Sequence, residues 1–328
     1  MPFQIVRNDI TRVEADVIVN TANPKPIVGD GTDSAVYRAA GKERLLAERM
    51  KIGCIASGQA AVTPAFGLPA KYIIHTVGPA WIDGKHGESD TLRSCYSSSL
   101  ALAEQLSAES IAFPLISTGV YGFPKNEALD IALSEIGKYL LTHDMNIILV
   151  VFDKESFRIS EKLMGAIDEY IDEFGIDKLS GDEYTERSRI YRRRKIREQL
   201  HNTDDSSLET ILGSTGETFQ QCLLRLIDES GMDDVTVYKK ANIDRKLFSS
   251  IRCNVDYKPK KKTAVALAIA LELDMPAMMD LLSRAGIAFS PSSKFDLIIS
   301  YCVANREYDI YKINAVLFEY DQPTLCDL

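Results

Sequence analysis

The chain has six cysteines in 328 residues, yet no two form a CxxC pair and none belongs to a Cys/His cluster. That spacing argues against a structural zinc site and for reduced thiols, with Cys54 and Cys95 read as buried small apolar groups. No apolar run approaches the ~20 residues of a membrane span. The longest, Ile147 to Phe152, has strand length. The opening residues, MPFQIVRNDITRVEAD, turn polar by position 7 and lack the apolar stretch of a secretory leader. A cytoplasmic protein without membrane association is expected, with no metal and no cofactor implied. The net charge of −9 gives the molecule no general attraction to nucleic acid or anionic lipid, so any such affinity must be local. Of the four histidines, His75 lies in an apolar strand pattern and reads as a structural core residue.

What the chain does have, in its first half, is an alternation of apolar strands and helical patterns. Val17 to Val19, Tyr72 to Val77, Ile111 to Ile116 and Ile147 to Phe152 read as strands. Ser34 to Ala40, Thr91 to Leu106, Asn126 to Leu141 and Glu155 to Phe174 read as helices. Continuous apolar strands between helices predict an α/β sheet covered on both faces. Length alone allows two domains at about 100–200 residues each.

The most informative stretch is IAFPLISTGVYGFP, residues 111–124. A buried strand runs into Ser117, Thr118, Gly119, Val120 and Tyr121, a loop with little side-chain bulk. Backbone N–H groups there can approach a phosphate closely, and open α/β sheets bind ligands at this end of their strands. Asn20 and Asn23 bracket the end of an earlier strand, followed by Gly29-Asp30-Gly31-Thr32-Asp33. Asp9 and Asp33 each read alternatively as turn or cap carboxylates.

Five motifs in order resemble the macrodomain family, in its MacroD-type ADP-ribosylhydrolase branch. They are Asn8 to Thr11, Ile18 to Asn23, Gly29 to Asp33 with Arg38 to Gly41, His75 to Pro79, and Ser117 to Pro124. The resemblance covers about Phe3 to Phe174 and implies a three-layer α/β/α sandwich. It implies that Asp9 and Ile10 contact adenine, that Ala22, Gly29, Gly31, Thr32 and the loop from Ser117 to Tyr121 line the diphosphate and ribose, and that Asn23 and Asp33 position or activate a water. Phe152 either stacks on adenine or belongs to the core. The implied substrates are mono-ADP-ribosyl esters on Asp or Glu of proteins, or O-acetyl-ADP-ribose; a non-catalytic ADP-ribose reader is the alternative. The chain departs from the branch at Asp30, within what is usually a glycine run, and at Tyr37, where histidine is common. Pro24 and Pro26 stiffen the loop after Asn23.

The remaining chain divides into a charged connector over 176–216 and an all-α region over 217–328, after a first domain over 1–175. Val235 to Arg252 resembles a Cro/repressor-type helix-turn-helix, with Asp244 as the cap of its second helix. Residues 239–262 hold nine lysines and arginines against Asp244 and Asp256, a local balance of +7. Lys239, Lys240, Arg245, Lys246, Arg252, Lys260, Lys261 and Lys262 are the candidate nucleic-acid contacts. Docking of a protein partner is the equal alternative.

Overall fold

The computed structural model describes residues 2–152, 154, 157, 159–174 and 216–325. The connector expected over 176–216 therefore lies outside the described residues as far as 215. Six strands form one sheet: β1 (Phe3–Arg7), β2 (Val17–Thr21), β3 (Ala60–Pro64), β4 (Tyr72–Thr76), β5 (Ser110–Pro114) and β6 (Asn146–Val151). Their order is β1-β6-β5-β2-β4-β3, parallel except for the β3–β4 pair. The strand expected over 111–116 stops at Pro114, because proline cannot donate to the ladder.

Two helices cover one face, α1 (Thr32–Ala40) and α2 (Lys42–Ile52), over a core that includes Ile18, Val36, Tyr37, Leu45 and Ile73. The other face is covered by α3 (Glu88–Gln105) and α4 (Lys125–Thr142), followed in the chain by α5 (Glu161–Phe174). Alternate strand residues serve the two cores: Val17 and Val19 face α3 and α4, and Ile18 faces α1. The result is a three-layer sandwich. Cys95 is buried, with its thiol donating to the Val77 carbonyl at 3.3 Å. Cys54 is exposed, contrary to expectation: Gly53, in a left-handed conformation at φ 76°, ends α2 at the surface and turns the next residue out.

Residues 219–319 form seven helices: α6 (Phe219–Ser230), α7 (Asp234–Lys240), α8 (Arg245–Cys253), α9 (Lys261–Ala270), α10 (Met275–Arg284), α11 (Lys294–Ala304) and α12 (Ile310–Glu319). Short polar residues start them. Asp233, Asp244, Asp274, Ser293 and Asp309 each accept a first-turn N–H, and Thr218 forms a reciprocal capping box with Gln221. Helix α9 is buried at every position from Thr263 to Ala270 and is the centre of the bundle.

This all-helical region covers the β1 edge of the sheet. The side chain of Asn242, in the turn between α7 and α8, accepts the Phe3 N–H at 3.0 Å and donates to the Phe3 carbonyl at 3.0 Å. One residue thus pairs both backbone groups of an edge-strand position. Tyr311 meets Phe3 edge-on at 5.3 Å, and Gly137 of α4 leaves room for the Tyr311 ring. Asp321 bridges Arg7 and Lys154, and the Tyr320 hydroxyl donates to Asp168 at 2.8 Å. The apolar core is continuous between the two halves. No helix among the described residues is long and apolar enough to cross a membrane.

Candidate active site

At the carboxyl ends of β2, β5 and β6 lies a cleft of about 600 Å³. It opens beside β2, where the connections pass from one side of that strand to the other, the position at which open α/β sheets take ligands. Every residue assigned to ligand binding or catalysis from the N-terminal motifs lines it: Asp9, Ile10, Ala22, Asn23, Gly29, Gly31, Thr32, Asp33, the loop from Ser117 to Tyr121, and Phe152. Phe152 is 70% exposed, so it is not core. The Asp9 carboxylate caps the short turn at Ile10–Arg12, accepting from Thr11 N at 2.9 Å and Thr11 Oγ1 at 2.7 Å. It does so from the rim of the cleft.

Asp33 sits in the first turn of α1 and does not cap it; the cap position is Gly31, at φ 60°. Its buried carboxylate accepts the Gly29 N–H at 2.5 Å and the Asn20 amide at 2.6 Å. Gly29 therefore has its N–H turned to Asp33, not to the cleft as expected for a diphosphate donor. A Cβ at Gly29 would lie 2.6 Å from the Asn23 amide nitrogen and 3.2 Å from Asp33 Oδ2, so its absence lets those two side chains converge on one point. Asp30 is exposed, which keeps its charge at the rim.

Behind Asp33 a buried polar chain continues. The Asn20 amide also donates to His75 Nδ1 at 3.2 Å, and His75 Nε2 lies 2.9 Å from Thr63 Oγ1. Burial, aided by the Arg49 charge, holds His75 down to about 3, so the ring is neutral. With Nδ1 accepting from an amide that only donates there, the proton sits on Nε2 and faces Thr63. Burial lifts the Asp33 carboxyl above its ordinary value, against the pull of the Gly29 N–H, the Asn20 amide and the Arg49 charge. Asn20 and His75 pair in register on β2 and β4, so their meeting depends on strand pairing that no local pattern reports. Arg49, 1% exposed, is the other group that sequence reasoning missed.

The loop after β5 is built for close approach. Ser117 adopts φ 65°, and the loop is closed by Phe123 N to Ser117 O at 3.0 Å and Gly122 N to Gly119 O at 2.9 Å. The N–H groups of Thr118, Gly119, Val120 and Tyr121 donate to no described residue. Gly78 faces this loop so tightly that a Cβ would lie 2.1 Å from Ser117 Oγ.

The basic stretch of the helical half is distributed differently from its sequence count. Lys239 is buried and pairs with Asp144, Lys240 with Glu272, Arg252 with Asp234, and Lys261 with the buried Asp296. Those four ammonium and guanidinium groups are engaged within the fold. Lys262 is half-buried. Arg245, Lys246 and Lys260 are exposed and make no ion pair among the described residues.

A family model described as Macro domain matches residues 19–132. The chain is 43% identical over 167 residues to an O-acetyl-ADP-ribose deacetylase of Escherichia fergusonii, covering 49% of this chain and 94% of that one. It is 52% identical over 137 residues to a macro domain-containing protein of Ralstonia nicotianae, covering 42% and 80%. A solved Oceanobacillus iheyensis macrodomain with ADP shares 36% identity, covering 51% of this chain and 92% of that one, with a TM-score of 0.46. Through its N-terminal half, the chain belongs to the macro domain family.

Proposed function

We propose that the protein binds ADP-ribose in the cleft at the strand ends and hydrolyses an acyl ester on its distal ribose, as in O-acetyl-ADP-ribose or a mono-ADP-ribosylated Asp or Glu. The observation that carries this reading is the meeting of the Asn23 amide and the buried Asp33 carboxylate at Gly29, on the floor of a cleft lined by unpaired backbone donors. The family relation adds weight, because matching relatives are named O-acetyl-ADP-ribose deacetylases.

The diphosphate rests on the N–H groups of Thr118 to Tyr121 and the free amino end of α1 at Gly31 and Thr32, where backbone dipoles favour anions. Phe152 covers adenine at one end, with Asp9 and Ile10 beside it. At the other end, Asn23 and Asp33 orient a water against the acyl carbon of the ester. Asp33 takes a proton from that water as it attacks. The acyl–oxygen bond breaks, and the ribose hydroxyl leaves with the proton returned. Asp33 must be ionised to act as base, and burial raises its pKa. Turnover therefore rises with pH through a range above that of an ordinary carboxylate. The test pairs calorimetry on ADP-ribose with ester-release kinetics. Asp33→Ala should keep binding and lose turnover by roughly 10²-fold or more. Binding with no turnover in the unsubstituted protein leaves the reader function, and absence of heat removes the ligand assignment.

For the helical half, we propose that the exposed face of α8 and the loop after it, with Arg245, Lys246 and Lys260, contacts the phosphate backbone of DNA. The helix-turn-helix likeness from Val235 to Arg252 and the local positive charge support this; docking of an acidic protein surface is the competing reading. A mobility-shift assay with random duplex at low salt separates them, since phosphate contacts weaken steeply with salt.

A further inference from the structure

Arg49, on α2, is the largest of the fully buried side chains and carries a charge. Taking a guanidinium out of water is costly unless other groups compensate. No carboxylate lies within ion-pair distance of it among the described residues. Its compensation comes from two carbonyls, with the Tyr37 hydroxyl beside it. Nη1 donates to Gly53 O at 3.1 Å, which closes the end of its own helix, and Nη2 donates to Asn23 O at 3.2 Å, which reaches across to the cleft. The next residue of that loop is held from the same side, by Ile55 N to Pro24 O at 2.9 Å.

The second compensation is electrostatic. Among the described residues, Asp33 and Arg49 are the two buried charged side chains on this face of the sheet, and His75 on β4 is neutral. A helix cap alone needs only the Gly53 bond, and an exposed lysine or water would serve it. The bond to Asn23 and the charge facing Asp33 require the guanidinium to be inside.

We propose that Arg49 is a positioning residue of the hydrolytic site: it anchors the loop that carries Asn23 and balances the buried Asp33 carboxylate. This rests on the hydrolase reading of the cleft. The groups facing Asp33 are the Gly29 N–H, the Asn20 amide from β2, the Tyr37 hydroxyl from α1 and Arg49 from α2, with neutral His75 from β4 behind the Asn20 amide. Of these, Arg49 alone is positively charged. Its loss raises the Asp33 pKa further and moves the acid limb of the rate profile to higher pH.

The experiment compares ester release and ADP-ribose affinity for the full chain, Arg49→Met and Arg49→Lys. Arg49→Met should lower kcat roughly 10²-fold with KM little changed, as expected for a misplaced catalytic group. Its acid limb should shift upward. Arg49→Lys keeps the charge but not the fork, so kcat should fall less and the limb should stay in place. A folded Arg49→Met with the parent kcat and acid limb overturns the proposal. A second measurement needs no turnover: carbon-13 titration of the Asp33 carboxyl in the unsubstituted protein and in Arg49→Met. An upward shift of that titration in Arg49→Met supports the charge balance, and an unchanged titration overturns it. Lack of turnover in the unsubstituted protein would count against the hydrolase reading, and the paired titration would still test Arg49.

Discussion

The two halves of the molecule use polar residues in opposite ways. In the N-terminal half, Asn20, Asp33, Arg49 and His75 are drawn into the interior behind one cleft, where polar groups are costly unless paired. Among the described residues, Asn20 Oδ1 and Arg49 Nε accept or donate no hydrogen bond. In the helical half, most charges lie at the surface, as in Lys240 with Glu272 and Arg252 with Asp234, and the two that are buried, Lys239 and Asp296, each form an ion pair, with Asp144 and Lys261. Polar groups buried without full satisfaction are hard to explain by folding alone and point to chemistry. A run of lysines is easily explained by folding, because each can solvate a surface or pair locally. The comparison teaches that a buried amide at a strand end says more about function than a basic stretch of larger charge.

The largest expected effect tests whether the basic segment is a free module or a fixed part of the fold. Asn242 lies in that segment at φ 51° and is fully buried. Asn242→Ala removes both partners of Phe3, about 1–3 kcal/mol for each stranded group, and places alanine in a left-handed conformation that costs about 1 kcal/mol more. A loss of about 3–7 kcal/mol in denaturant unfolding is expected. A change below about 0.5 kcal/mol, the level of an ordinary surface substitution, would mean that the helical half folds independently of β1.

A smaller loss should follow at the cleft. Gly78→Ala sets a methyl 2.1 Å from Ser117 Oγ and 2.8 Å from Ile116 Cγ2. Overpacking of this kind costs about 1–3 kcal/mol, and relief requires the loop carrying Ser117 to shift. Unfolding free energy and ADP-ribose affinity should therefore fall together. If stability drops while affinity is unchanged, the loop after β5 does not hold the diphosphate.

Much of this was legible in the sequence, and the gaps have physical causes. The cleft residues were readable because strand-end loops rich in glycine and asparagine have few structural uses. Strands β2, β4, β5 and β6 announced themselves as apolar runs, since both of their faces are covered. Strand β1 did not: FQIVR alternates, as an edge strand does. Strand β3, AAVTP, is short, barely apolar and ends in proline. Helix α2, KERLLAERMKI, buries only Leu45 and Arg49, so its pattern reads as a solvated surface. Arg49 was hidden for that reason, because an arginine in a charged helix ordinarily faces water. The packing of α11 and α12 on β1, α4 and α5 was beyond reach, being a matter of long-range complementarity.

A third prediction contrasts two buried carboxylates. Glu88 is as enclosed as Asp33, and its burial would raise its pKa. The N–H groups of Ile82, Asp83, Gly84 and His86 outweigh that and bring it down to about 2, from 4.5. Its folded-state pKa is thus depressed, so its stabilisation is complete above its unfolded pKa and is lost as pH falls toward 2. Glu88→Gln turns an amide N–H₂ toward donors, so it should be less stable than the parent at neutral pH. Unfolding free energies measured across the acid range should show that gap closing as pH falls. A gap that is constant with pH would mean that the charge of Glu88 does not hold the 82–88 loop.

The smallest expected effect on stability separates the exposed cations from the paired ones. Arg245→Gln and Lys246→Gln touch no ion pair, and stability should change by less than about 0.5 kcal/mol. If α8 faces a duplex, each should weaken binding across sequences alike and reduce the slope of log affinity against log salt by about 1. Lys240→Gln breaks a surface pair with Glu272 and should cost about 0.2–1 kcal/mol without altering that slope. Equal salt slopes for all three variants would erase the distinction between the exposed and the paired cations. A loss of binding by the α8 variants to an acidic polypeptide, with none to duplex, would assign the face to protein docking and leave the comparison between the halves intact.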